Sequence, residues 1–379
     1  NKKETIPLIQ TTAGLEYMIS TKIKSLIEID KKTVGLMNLD TESELKTDNL
    51  SAQLNQHYNF RTIDPSANIP ESIDVLLVSA TKDTVDTTTV SNLRNFLNAG
   101  KKVFIAQSGV NADIKTQQAG PLSSNIFGLL NEFSLDLQKN MVLDAKCGNV
   151  QVQEQRGIFL MNRPVEYPLF PTINTFNGSD SLSGVVVNEL EQVLLLFPSE
   201  IKIDTSVNEK VEKVSTLFTS SNNSGIMESN LVLSPDPQQN PFLRMLGQPG
   251  KILAATSRLS TGGELMLVSD SRFLSDEGGM SIPVNMIFMM NAVDYLANDA
   301  DLISLRSREI TSRPLDILQL SDAEENSMSQ DDKDKLSDKK KKRWKFANMV
   351  LPTLLIIGFG FYRIRREKVQ AEVLKQIYD

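Results

Sequence analysis

The chain has 379 residues, 40% hydrophobic and 23% charged, with a formal net charge of −7. That balance fits a folded protein of two or three domains. It makes the chain a poor candidate for a general nucleic-acid binder, whose phosphate contacts need a field of Lys and Arg.

Residues 13–29 carry Leu15, Met18, Ile19, Ile23, Leu26 and Ile27 at spacings of three and four, which predicts an amphipathic helix. The run TVGLMNL at 33–39 predicts a buried strand, 41–58 a helix, and 60–63 a strand closed by Asp64-Pro65. DVLLVSA at 74–80 is the clearest buried strand. A helix over 87–98 follows, with Val90, Leu93, Phe96 and Leu97 apolar and Ala99-Gly100 ending it, and then the strand KVFIAQ at 102–107. Strand, helix and strand with short links predict a parallel sheet with helices on its faces.

The middle of the chain reads as short strands at 141–145, 150–153, 157–161, 183–187 and 193–197, with a turn at 177–179 and a loop at 220–225. Strands at 252–257 and 264–269 meet at Gly262-Gly263, and 283–296 is an apolar helix whose Met286, Met289 and Met290 read as core filler.

From residue 321 the sequence turns from an acidic block into a basic one, almost free of large apolar side chains, and predicts a flexible linker. The uncharged stretch FANMVLPTLLIIGFGFY at 346–362 predicts a transmembrane helix. Trp344, Phe346 and Tyr362 stand as interface anchors, Pro352 as a tolerated kink, and Gly358 and Gly360 as a close-contact face. The competing reading is a buried core helix.

No G-x-x-x-x-G-K-[ST], no G-x-G-x-x-G after a strand and no G-x-S-x-G occurs, so the chain lacks the signatures of an ATPase, a dinucleotide binder and an α/β-hydrolase. No nucleotide, metal or other cofactor is expected. The single cysteine, Cys147, and single histidine, His57, exclude an intramolecular disulfide and a Cys/His zinc site. A Cys–His nucleophile and base stays open by count, against a plain core thiol.

The candidate ligand or partner site lies at predicted strand ends: Ser79, Ser108, and Asp270, Ser271 and Arg272. The bland alternative is that these side chains cap helices and close turns.

These pieces in order resemble the gliding-motility auxiliary component of ABC transporters, the GldG-like proteins. The residues carrying the likeness are Tyr17, KKTVGLMNL at 31–39, 74–80 with the helix into Asn98-Ala99-Gly100-Lys101-Lys102-Val103, and Arg163-Pro164-Val165. LLFPS at 195–199, LFTS at 217–220, 267–276, 285–296, 303–308 and Arg313-Pro314-Leu315 complete it, before a linker and a terminal apolar span.

The resemblance implies a non-catalytic auxiliary subunit beside an ABC permease subunit and an ABC ATPase subunit. Its large domain would lie outside the cytoplasmic membrane, with membrane lipid around the span and an earlier span ahead of residue 1. Self-association or pairing with a paralogous auxiliary subunit is open. The alternatives are a sugar- or peptide-binding module feeding the permease and, more weakly, a hydrolase using Asp270 and Ser271. The positive-inside rule points against this topology, with Lys333, Lys335, Lys339, Lys340, Lys341, Lys342, Arg343 and Lys345 before the span and Arg363, Arg365, Arg366, Lys368 and Lys375 after it.

The expected fold is two Rossmann-like or flavodoxin-like α/β units with parallel-rich sheets, over 1–135 and 136–315. A charged linker over 316–343, a transmembrane helix over 344–364 and a basic, amphipathic tail over 365–379 would follow.

Overall fold

The computed structural model describes residues 31–40, 44–114, 116–156, 159–177, 182–187, 190–298 and, further on, 339, 342–346, 350, 358–360, 362–366 and 368. The chain divides into two compact units, 1–311 and 312–379.

The described part of the first unit opens on β1 (Thr33–Met37), five buried residues in a row, as a strand covered on both faces requires. Helix α1 (Asp48–His57) buries Leu50 and Leu54 and leads into β2 (Asn59–Ile63). The buried β3 (Val75–Val78) and helix α2 (Thr87–Asn98) follow. Gly100 ends α2 with φ +84°, and a Cβ there would stand 2.9 Å from the carbonyl oxygen of Thr261, so the turn needs glycine. Then comes β4 (Lys102–Ala106).

The chain next makes a long excursion. It forms the hairpin β5 (Val110–Asp113) and β6 (Gln118–Pro121), helix α3 (Ile126–Glu132), β7 (Leu135–Leu137) and β8 (Met141–Asp144). It continues through β9 (Cys147–Arg156), β10 (Phe159–Ile173), β11 (Thr175–Phe176), β12 (Val193–Leu194) and β13 (Ile201–Ile203). After β14 (Val211–Thr219) and β15 (Ser224–Met227) come β16 (Ile252–Leu259), β17 (Glu264–Val268) and helix α4 (Pro283–Leu296).

The excursion returns to the sheet it left. In the order β2-β1-β3-β4-β17 all neighbours are parallel, the flavodoxin-like doubly wound arrangement. Antiparallel strands β16, β14 and β11 extend the sheet beyond β17, and β13 joins β16 to β7, making ten strands. Strands β9, β10 and β12 form a separate three-stranded sheet. The boundary expected at 135/136 therefore falls within one sheet, between strands β4 and β17 that pair directly.

Alternation along β4 and β17 sends Phe104, Ala106, Met266 and Val268 to one face and Val103, Ile105, Leu265 and Leu267 to the other. The first face packs on α1 and α4 through Leu50, Leu54 and Phe288. The second packs on α2 and α3 through Leu93, Leu97, Leu129 and Leu130. Met289 and Met290 lie in the first core, as their pattern predicts.

Several predicted elements differ. The strand expected at 183–187 is a 3₁₀ helix, Leu182–Val186, because a short apolar run does not distinguish the two by periodicity. The strand at 193–197 pairs regularly over Val193–Leu194, and the Leu195 and Phe197 N–H groups carry its bonds to β10 further, to the carbonyls of Pro171 and Leu169; the loop at 220–225 runs into β15. The helix expected over 41–58 begins at Asp48. The helix expected over 13–29 lies outside the described residues, as do most of the linker and Pro352. Most of 346–362 also lies outside them, and among the described residues no helix is long and apolar enough to cross a membrane. Residues 342–346, 358–360 and 362–366 are helical, and Trp344, Phe346, Phe359 and Tyr362 are 60 to 66% exposed.

Candidate functional site

Parallel pairing in register brings the carboxyl ends of β1, β3, β4 and β17 to one edge of the sheet, with Met37 opposite Val78, Val78 opposite Ile105 and Ala106 opposite Val268. Ligands collect at such edges, beside the point where the strand order reverses between β1 and β3. The residues that follow these strands are Asn38, Ser79, Gln107-Ser108 and Ser269-Asp270. All five sequence-predicted site residues lie on this edge or just past it.

Apart from the buried Ser269 hydroxyl, for which no partner stands among the described residues, the polar side chains at these strand ends have internal partners. The Ser79 hydroxyl donates to Asn38 Oδ1 at 2.6 Å and accepts from the Leu39 N–H at 3.2 Å. Gln107 accepts from the Thr81 N–H at 2.8 Å and donates from Nε2 to the carbonyls of Thr81 and Ser108. The Ser108 hydroxyl donates to the Val110 carbonyl at 2.9 Å. Lys82 and Asp40 form an ion pair at 2.9 Å at the rim.

Asp270 is the most buried charge-bearing group of the edge, at 0% exposure. Its Oδ2 accepts from the Leu196 N–H and its Oδ1 from the Arg272 N–H, both at 2.8 Å. Burial pushes its carboxyl up to about 7, against the pull of those two N–H groups and of the Arg272 charge. Arg272 reaches the other way, donating to the Ala112 carbonyl of β5 at 2.9 Å. Next to it the Ser199 hydroxyl accepts from the Gly109 N–H at 2.8 Å and donates to the Asn140 carbonyl at 2.6 Å, while the Ser199 N–H donates to the Ser269 carbonyl. Ser271 is half-buried beside this junction.

The edge is thus a closed polar ledge that fastens residues 195–199 and the β5–β6 hairpin to the end of β17. A hydrolase built on Asp270 and Ser271 would need a base poised to take the hydroxyl proton. Asp270 has both oxygens engaged by backbone N–H groups instead. Cys147 opens β9, and burial with the nearby Glu166 carboxylate pushes its thiol up to about 12, which holds it in the unreactive form at neutral pH. Among the described residues no group of three or more His, Cys, Asp or Glu could hold a metal.

Sequence reasoning missed Asn38, Gln107 and Ser199. Asn38 and Gln107 end apolar runs at the same place as Ser79, which was a readable signal. Ser199 closes LLFPS but comes to the edge only through a segment about 70 residues before β17 in sequence, which no local pattern indicates.

A doubly wound α/β domain with an antiparallel extension and a closed strand-end ledge defines the class. Within it, the chain belongs to the family described as "ABC-type uncharacterized transport system", whose model matches residues 31–298. The likeness to ABC-transport auxiliary components read from the order of the sequence motifs agrees with this membership.

A protein of Borreliella burgdorferi (strain B31) described as "Uncharacterized protein" is 22% identical over 335 residues, which cover 82% of this chain and 64% of the relative. The chain therefore spans less than two thirds of that curated relative's length. Among solved structures, the mmIFT52 N-terminal domain superposes with a TM-score of 0.44 at 12% identity, covering 69% of this chain and 96% of that one. A ThuA-like protein from Parabacteroides merdae gives 0.39 at 9% identity, covering 70% and 90%.

Proposed function

We propose that the chain is a non-catalytic, membrane-anchored auxiliary subunit of an ABC-type transport complex, acting beside a permease subunit and a separate ATPase subunit. The observation that carries the reading is membership of the transport-system family over 31–298. The closed ledge supports an accessory role over ligand capture or hydrolysis, because Ser79, Ser108 and Asp270 have their polar atoms engaged by the protein itself. The large unit lies outside the cytoplasm in this reading, and residues 346–362 anchor it. The exposed Trp344, Phe346, Phe359 and Tyr362 support an anchor, since large apolar side chains in water mark a surface meant for lipid or protein.

The test is purification of the tagged full chain from membranes in mild detergent. A permease and an ATPase subunit should travel with it, and a chain truncated after Leu336 should leave the membrane fraction after a salt wash. A truncated chain that stays membrane-bound with its partners would remove the anchor from residues 346–362. A full chain that brings down no transporter subunit would overturn the reading.

A further inference from the structure

Beyond the transport reading, and independent of it, the β9–β10 hairpin carries an open edge. Eight consecutive pairs run from Asn149 opposite Glu166 to Arg156 opposite Phe159, an arm about 25 Å long at the usual rise per residue. Over this length neither strand has a second strand neighbour among the described residues, since β12 pairs only with Thr172 and Ile173 at the base. A two-stranded ribbon alone is marginal in water.

The two edges are not equivalent. Strand β10 is guarded as free edges usually are, with Arg163, Pro164 and Glu166, and the proline offers no N–H. From Cys147 to Gln153, strand β9 has no charge and no proline: Cys-Gly-Asn-Val-Gln-Val-Gln. Asn149, Gln151 and Gln153 are exposed and Val150 and Val152 half-buried. Alternation puts the three amides on one face and the two valines on the other.

We infer that the β9 edge pairs with the β9 edge of a second copy of this chain, antiparallel about a two-fold axis at Gln151, giving a continuous ribbon β10-β9-β9-β10. The sequence is self-complementary about that residue. Val150 falls opposite Val152 of the second copy, Asn149 opposite Gln153, and Gln151 opposite itself. Each amide meets an amide that can both donate and accept and each valine meets a valine, so from Asn149 to Gln153 no like charges oppose. A two-fold axis needs one patch that matches itself, which this edge supplies. A partner protein's strand could use the same edge, but it would need a matching pattern that this chain already contains.

The full chain in mild detergent tests the pairing. Sedimentation velocity over a range of concentrations should show a reversible dimer. Gln151→Lys, which sets two ammonium groups face to face across the axis, should weaken it about two- to fivefold. In a Cys147→Ser background, Gln151→Cys should form an intermolecular disulfide under mild oxidation, faster than Asn162→Cys, which is also exposed but lies on β10, off the axis. A monomer at every concentration, a dimer that Gln151→Lys leaves unchanged, or equal cross-linking at the two positions would each overturn the inference.

Discussion

Asp270 uses both carboxylate oxygens to hold backbone N–H groups in a dry site, so its removal should be felt out of proportion to its size. Asp270→Ala leaves the Leu196 and Arg272 N–H groups without acceptors and should cost roughly 2–5 kcal/mol, read by urea unfolding at constant pH. The carboxyl is raised from 3.8 to about 7 on folding, so the folded state holds its proton to higher pH than the unfolded chain does. Its contribution to stability is therefore fully present below 3.8 and is lost as pH rises through about 7. The unfolding midpoint of the natural chain, measured against Asp270→Asn, should fall as pH is raised across that window. A difference that is flat with pH would show that the carboxyl titrates normally. A second site of the same ledge is Gly109, where an added Cβ would lie 1.9 Å from the Gln138 carbonyl oxygen. Gly109→Ala should cost about 1–3 kcal/mol by forcing the backbone apart, measured in the same denaturation experiment. The polar residues at the ends of β3, β4 and β17 were legible from the sequence, because apolar runs stop there. That they hold the protein to itself was not legible, because their acceptors and donors come from Leu196, Ala112 and Asn38, residues that only the tertiary structure brings near.

Helix α4 shows how one element is fastened at two points. Phe288 stacks edge-on against Phe218 and Phe273 at 5.5 and 5.7 Å, inside the first core. Phe288→Ala should cost about 3–5 kcal/mol through lost burial and the cavity left behind. Near its carboxyl end, the Tyr295 hydroxyl donates to Glu264 Oε1 at 2.7 Å and accepts from Arg258 at 2.8 Å, while Arg258 also reaches Glu264 Oε2 at 3.2 Å. Burial and the Glu264 carboxylate both hold the Tyr295 phenol in its protonated form. Tyr295→Phe keeps the ring but strips a donor from a carboxylate that is 2% exposed, and should destabilise by about 1–3 kcal/mol. Equal thermal midpoints for Tyr295→Phe and the natural chain would mean that Arg258 and Lys102 satisfy Glu264 without the phenol. This helix was legible in the sequence as a long apolar run, as were β1, β3, β4 and β17. Strand β10 was legible only at its start, 159–161, because Pro164, Pro168 and Pro171 are residues that strands seldom carry and the strand of 15 residues runs through all three. Strand β14, with Glu212 and Lys213 exposed near its start, lacks the apolar run that marked the inner strands.

At the scale of the whole molecule, the anchor proposed at residues 346–362 makes its own demand on the bilayer. Introducing Arg at Ile356 should cost roughly 2.5–3.5 kcal/mol of insertion and lower membrane retention, whereas Lys341→Ala alone should change little. Fractionation of the two variants side by side checks this. The architecture of the first unit was legible only up to β4, because nothing in the sequence announces that the strand returning after the excursion is the fifth of the same parallel set. Lys102 and Glu264, paired across β4 and β17, are 162 positions apart. That separation bears on how the chain is made. Bringing such distant strands together must overcome a large loop-closure entropy before any contact rewards it, so the sheet is completed late. Until then β4 is an edge of four fully apolar residues, Val103 to Ala106, with its hydrogen-bonding groups open to any passing strand. A ribosome or a translocation channel releasing this chain from its amino end exposes that edge for the whole time the excursion takes to emerge. Newly made protein is thus the state most in need of a chaperone, and a chain stopped short of β17 should aggregate where the complete one folds.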